Sequence, residues 1–353
     1  MSAVSGGDKM GMGRYIAYRL VNAVIILFLA VLLMSALFTK LATIQLNAQV
    51  NEEVQMWVRA YTQQHHQQPT KEMIERYREA RIKYYRLDKP YWKRMWMYTI
   101  DTFFFRWGKS FVKVFGTTDI VSQIETALGR TVLLFTTSEI FIILIGLSLG
   151  LKSARRPGSI LDRTISIIAM IASSLPMWWV GMLMILLFVV YLGWLPITLY
   201  SQVEVSGWAN ILKKMSLPVL TIVLVSFGGW AWTTRNIMIG TMQEDFIMVA
   251  RAKGVPERKI IYGHALKAAA PPIITMVIFG LIGSLNGAII TEIVFNWPGM
   301  GRLYYEALQL NAVRTMMALN YMFAVITVLS MVLADILYAY LDPRIRIGGA
   351  ARS

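Results

Sequence analysis

Six stretches of the chain stay apolar long enough to cross a bilayer, near residues 16–38, 131–151, 164–193, 216–238, 270–295 and 316–340. A helix needs roughly 20 such residues to span ~30 Å of hydrocarbon. The pattern predicts six transmembrane helices, and an even number places both termini on one side. Lys9, Arg14 and Arg19 precede the first stretch, and Lys152, Arg155, Arg156 and Arg163 separate the second from the third. Arg235 to Lys267 separate the fourth from the fifth, and Arg344 and Arg346 follow the sixth. Short basic segments stay on the cytoplasmic side, so both termini are expected there, in the cell membrane. The first stretch is longer than the apolar core of a signal peptide and others follow it, so it reads as an uncleaved span.

Residues 40–125 break this rhythm, with 14 basic and 9 acidic side chains by direct count. A segment of that length escapes the positive-inside rule and is expected outside. Within it, residues 70–86 are rich in helix formers, with Thr70 placed to cap and Glu72 in the first turn. Further on, Tyr91, Trp92, Trp96, Tyr98, Phe103 and Trp107 alternate with Lys93, Arg94 and Arg106. That mixture fits a helix at the membrane surface and equally a small packed external core. Pro176 inside the third stretch removes a backbone donor and predicts a kink.

Composition agrees with the pattern: 56% of residues are hydrophobic and 16% charged. The net charge of +15 reads as loop charge facing anionic headgroups rather than a nucleic-acid footprint. There is no cysteine, and His65, His66 and His264 are the only histidines, so no metal-ligand spacing exists. Gly108-Lys109-Ser110 resembles the end of a phosphate-binding loop, yet Phe103 stands where the loop's first glycine belongs. No catalytic constellation is visible, and the chain is not expected to be an enzyme.

Residues 244–270 are the most informative. Phe246, Val249 and Ala250 fit one helical face, with Arg251 and Lys253 on the other. Gly254 permits the positive φ that ends a helix, and Pro256 and Glu257 suit the start of the next. The result is a helix, a tight turn and a second helix, a compact knob for a soluble partner. Met248-Val249-Ala250-Arg251-Ala252-Lys253-Gly254 resembles the EAA loop of binding-protein-dependent ABC importer permeases, in the form common in the dipeptide and oligopeptide branch. The likeness extends to Arg14-Tyr15-Ile16, Leu87-Asp88-Lys89-Pro90, Trp107-Gly108-Lys109-Ser110-Phe111, Thr234-Arg235, Glu244-Asp245-Phe246 and Leu341-Asp342-Pro343-Arg344. It departs at Met248, Val249 and Lys267, and in the enlarged segment 40–86.

The resemblance implies an all-α polytopic membrane protein with six transmembrane helices. Its fold would be the MetI-like transmembrane domain of type I ABC importers, as a "B" type permease with a long external insert between helices 1 and 2. It divides the chain into an N-terminus and first span (1–39), an external insert (40–127), a core (128–340) holding the coupling loop, and a cytoplasmic tail (341–353). It implies a second permease subunit, two cytoplasmic ATP-binding subunits holding ATP and Mg, an external substrate-binding protein, and contact with membrane lipid. No cofactor is expected on this chain. The expected ATPase contact comprises Ala250, Arg251, Ala252, Lys253, Gly254, Val255, Pro256, Glu257 and Arg258. Di- or oligopeptides are the implied cargo, with oligosaccharides or another small solute as alternatives. A secondary carrier, the reading from another class, would show inverted repeats that are not seen here. From the residues themselves, Glu139, Asn286, Glu292 and Asp335 are polar groups at membrane depth. Each is a candidate for the substrate path or gate, or for a helix–helix hydrogen bond.

Overall fold

The computed structural model describes residues 12–196 and 207–341. Lys9 and the tail Asp342-Pro343-Arg344, both expected to be cytoplasmic, lie outside the described residues. The chain divides into two compact units. One comprises residues 1–16, 126–303 and 330–353, and the other residues 17–125 and 304–329.

The elements in chain order are α1 (Met12–His65), α2 (Lys71–Tyr84), α3 (Tyr91–Phe103), β1 (Lys109–Val114), β2 (Thr117–Asp119) and α4 (Ile120–Arg155). There follow α5 (Ile160–Ser174), α6 (Met177–Ile185), α7 (Trp208–Met242), α8 (Asp245–Ala252) and α9 (Leu266–Gly283). The series closes with α10 (Ile289–Val294), α11 (Met300–Gln309) and α12 (Val313–Leu341). The described chain is helical apart from the antiparallel hairpin of β1 and β2.

Among the described residues, five helices are long and apolar enough to cross a membrane. The third expected span is not one straight helix: α5 and α6, the latter continued by a π-helical turn at Leu186–Tyr191, meet at 97°. Counting that pair as one gives up to six. The bend falls at Leu175–Pro176, where Pro176 lacks the N–H that would continue the helix and serves as the N-cap of α6. The fifth expected span also ends early. Its helix runs through Asn286 and breaks at Gly287, whose φ of 64° no right-handed helix accommodates. The first helix does the reverse. Instead of stopping near Phe38, α1 continues to His65, 54 residues in all, because residues 40–65 hold neither proline nor glycine.

In the unit built around residues 126–303, α7 is the central post. Leu134, Phe135 and Ile142 of α4 pack with Ile211, Met215, Ile222 and Val223 of α7 and with Trp297. A methyl at Gly228 would lie 2.8 Å from the Ala169 backbone, so α5 and α7 touch along their backbones there. At the end of these helices Asp162, which is buried, accepts from Ser153 Oγ (2.5 Å) and the Gly158 N–H (2.7 Å) and from the Nε and Nη2 groups of Arg235. Ser159 caps α5 by accepting from the Asp162 N–H, so the carboxylate closes a helix start and ties it to α7.

In the other unit, Leu46, Val50 and Val54 of α1 pack against Tyr85 beside α2. Thr70 caps α2 as expected, its hydroxyl accepting from the Met73 N–H at 3.3 Å. Glu53 accepts from the Tyr85 hydroxyl (2.6 Å) and pairs with Arg81. Burial and then the Glu53 carboxylate push the Tyr85 phenol up to about 12, so it stays a donor at any ordinary pH.

Removing one member of a buried, hydrogen-bonded ion pair strands the other. Asp162→Ala is therefore expected to cost about 3–5 kcal/mol. Ser153→Ala, which deletes one neutral donor, should cost about 1 kcal/mol. Thermal melting of the purified chain in mild detergent measures both, and equal shifts would contradict the assigned bonding.

Candidate functional site

The knob expected between the fourth and fifth spans is built by α8, a turn at Lys253 to Pro256, one helical turn at Glu257–Lys259 and a π-helical turn at Ile260–Ala265. The turn is a Schellman motif: the Gly254 N–H donates to Arg251 O (2.9 Å) and the Val255 N–H to Ala250 O (3.2 Å). Gly254 has φ 73°, the left-handed value this motif requires. Pro256 sits one position earlier than expected, as the N-cap rather than the first helical residue. Across the turn the Arg251 guanidinium meets Glu257 at 2.9 Å, with both side chains half exposed.

The inward face of α8 differs from the one the pattern suggested. Ile247 is fully buried against Met238, Ile260 and Ile261, and Ala250 and Val255 pack on the same cluster. Phe246 and Val249 are exposed, as is Met248. Three apolar positions in an eight-residue helix do not determine a face. The i, i+3 pair of Ile247 and Ala250 wins because it shares the stripe with Val255. The consequence is an anchored turn that presents Phe246, Met248 and Val249, flanked by Arg251, Lys253 and Arg258, a partly apolar, cationic surface of the kind that marks a protein contact. Of the nine expected contact residues, all but Ala250 and Val255 are exposed.

Three of the four membrane-depth residues, Glu139, Asn286 and Glu292, fall along α4 and the chain from α9 to α11. Glu292 of α10 is fully buried and accepts from the Thr131 hydroxyl (2.7 Å), the Gly301 N–H (2.7 Å) and the Arg302 N–H (3.2 Å). The last two are free donors at the start of α11, so Glu292 caps that helix from a different one. Thr131 Oγ1 also accepts from the Met300 N–H at 2.8 Å, and Trp297 donates through its indole to Arg130 O at 3.0 Å. Gly301 is obligatory: a Cβ there would lie 2.5 Å from Ile289 Cα and 3.0 Å from Glu292 Oε2. Along the same seam Thr136 and Ser284 share a hydrogen bond of 2.9 Å. Glu139 lies against Gly280, with the Trp230 side chain within hydrogen-bonding reach of its carboxylate, and its Oε1 is buried without a hydrogen-bond partner among the described residues. Asn286 stands between these points in a half-buried 3-10 turn. Asp335 is half-buried on α12.

Two features were not visible in the sequence. Asp162 and Arg235 belong to separate motifs and meet across 73 positions. Lys214 precedes the expected start of the fourth span and reads as loop charge, yet α7 begins at Trp208 and buries Lys214 completely between Ile211 and Met215. The apolar spacing of those two neighbours was the available signal.

Residues 142–347 match the family described as the binding-protein-dependent transport system inner membrane component. The chain is similar to the oligopeptide transport system permease protein AppB of Bacillus subtilis, at 32% identity over 65% of this chain and 72% of that protein. It is similar to the dipeptide transport system permease protein DppB of Alkalihalophilus pseudofirmus, at 31% identity over 74% of this chain and 83% of that protein. The glutathione transport system permease protein GsiC of Escherichia coli is also 31% identical, over 74% of this chain and 81% of its own. A solved chain of the MetNI methionine ABC transporter in an inward-facing conformation aligns with TM-score 0.47 and 20% identity, covering 63% of this chain and 97% of that one.

Thr131 both donates to Glu292 and accepts from the backbone of α11. Thr131→Val is expected to destabilise the chain by about 1–3 kcal/mol, because two buried groups lose their partner. Thr131→Ser keeps the hydroxyl and should stay within about 1 kcal/mol of the parent, as read by thermal melting in detergent.

Proposed function

The chain belongs to the family of inner membrane components of binding-protein-dependent transport systems, and we propose that it carries di- or oligopeptides delivered by an external binding protein. It is a permease subunit of an ABC importer and not itself an enzyme, and its described residues form an all-α polytopic fold. The observation that carries the coupling mechanism is the anchored Schellman turn at Gly254. In the proposed complex, a second permease and two ATP-binding subunits complete the transporter, with ATP and Mg held by the latter. Both termini and the knob face the cytoplasm, and the membrane is the cell membrane.

The mechanism follows from stiffness. A helix end fixed by two backbone hydrogen bonds, an ion pair and the buried Ile247, Ile260 and Ile261 moves as a body with α7 and α9. An ATPase that closes on the exposed Phe246, Met248 and Val249 would thereby move the spans rather than bend a linker. The seam of Thr131, Thr136, Glu139, Asn286 and Glu292 is the proposed place where that movement opens or closes a path. Glu139 is the candidate path residue, since Glu292 is already committed to capping α11.

Co-purification from native membranes tests the assembly. A second multi-spanning chain and one or two ATP-binding chains are expected alongside this one, with peptide uptake in vesicles that requires ATP. Uptake that persists without the ATPase would instead establish a secondary carrier. A Cβ at Gly254 meets nothing within 4 Å, so Gly254→Val perturbs only the backbone. It should leave the complex assembled while ATP hydrolysis no longer drives uptake, and Gly254→Ala should do so less, at about 1–2 kcal/mol of left-handed strain. Arg251→Glu removes the ion pair with Glu257 and reverses a contact charge. If the pair only stiffens the turn, adding Glu257→Arg restores coupling; if Arg251 itself meets the ATPase, the double variant remains impaired.

A further inference from the structure

The unit comprising residues 17–125 and 304–329 holds a cavity of about 720 Å³, within the range of small-ligand sites. Its lining carries four cations, Arg86, Arg106, Lys109 and Arg314, against one carboxylate, Asp101. Asp101 is taken by Arg86 at 3.1 Å. Among the described residues Arg106, Lys109 and Arg314 have no carboxylate partner. The Gly108-Lys109-Ser110 sequence that fails as a nucleotide loop forms part of the wall. Gly108 is in the left-handed region with φ 73°, and the site of its missing Cβ lies 3.9 Å from the Arg314 guanidinium. Ser110 is tied to Thr315 by a hydrogen bond of 3.1 Å, which holds the Lys109 strand beside the helix that carries Arg314.

The face of α3 that lines the cavity, Tyr98, Asp101 and Thr102, continues one turn back to Arg94. Arg94 is 9% exposed, and its Nε has no hydrogen-bond partner among the described residues. A further cation is thus held on the same face with no ion pair to an acid among the described residues.

The level of the cavity bears on which anion would reach it. The Trp96 and Phe103 rings of α3 meet Phe28 of α1 at 6.0 and 5.6 Å, and the Tyr91 hydroxyl donates to Ala36 O at 2.5 Å. Ala36 lies near the end of the apolar stretch of α1 and Phe28 about two turns further into it, whereas Tyr85 of the cavity wall packs on Leu46, Val50 and Val54 beyond that end, so the cavity lies across the level at which the stretch ends. Trp92, Trp96, Phe104 and Phe105 are exposed around it, an aromatic belt of the kind found at headgroup level. Three unneutralised cations exceed what one carboxylate needs and suit a phosphate, whose several oxygens accept from separate donors.

We propose that this cavity binds the phosphate of an anionic phospholipid headgroup, held by Lys109, Arg106 and Arg314. The assignment does not depend on which solute the permease carries.

The test titrates short-chain phosphatidylglycerol into the full-length chain, purified in neutral detergent with the subunits it retains, and follows binding by calorimetry. At about 1 kcal/mol for each cation near an anionic lipid, Lys109→Gln should weaken binding about fivefold and Lys109→Gln with Arg314→Gln about thirtyfold. Lys109→Arg with Arg314→Lys should bind as the parent does. Lys109 is exposed, so the single variant remains informative should the double variant fail to fold. Equal phosphatidylglycerol binding by the parent and Lys109→Gln overturns the proposal. Inorganic phosphate that binds as tightly as the lipid, with the same loss in the variant, keeps the phosphate chemistry and overturns the lipid source.

Discussion

A carboxylate buried among membrane-spanning helices is costly unless its oxygens are satisfied by the protein, since neither lipid nor an apolar core supplies a donor. Glu292 meets this demand with the Thr131 hydroxyl and two N–H groups at the start of α11. Much of the surrounding design follows from that. The chain must turn sharply between α10 and α11 so that Glu292 reaches a helix start nine positions later, and Trp297 fills the turn while anchoring it to Arg130 O. Gly299 and Gly301 have no side chains because the carboxylate and the α10 backbone occupy the space a Cβ would need. The break at Gly287 lets α10 leave the line of α9, which a continuous fifth span could not do.

The same economy appears at the opposite end of α4. Asp162 closes the start of α5 and holds Arg235 on α7, so one buried acid again joins a helix terminus to another element. Residues 126–303 therefore have two polar clamps, with an apolar seam along α4 and α7 between them. Transport demands that helices move against each other without exposing unpaired backbone. Clamping helix ends while leaving apolar middles free to slide satisfies both requirements, because apolar contacts are not directional whereas hydrogen bonds at termini are.

The sequence made the spans legible because an apolar run of 20 residues has one principal meaning in a chain of this composition. It was equally informative at Thr70, Pro176 and Gly254, where a residue's own backbone chemistry fixes the local structure. It was less informative wherever the outcome depends on a partner far along the chain. The inward face of α8 turned on Ile247, which buries itself only because Ile260 and Ile261 are folded back over it. Lys214 read as loop charge because a window average cannot show that α7 starts before its apolar core. The length of α1 escaped notice because polar residues ended the apolar run without ending the helix, and hydropathy measures the first of these alone.

Glu292 illustrates why a polar residue at membrane depth is an ambiguous signal. Its position and type left open a gate or a helix–helix hydrogen bond, and its three bonds cap the start of α11. Glu139 has the opposite character: it lies on the same seam, beside Gly280 and Trp230, with a buried oxygen that nothing among the described residues satisfies. An unsatisfied buried acceptor costs free energy in the resting arrangement. A conformation or a bound solute that offers Glu139 a donor therefore gains stability relative to the one described. The Oε1 without a partner, more than the carboxylate's depth, is what distinguishes Glu139 from Glu292 on this seam.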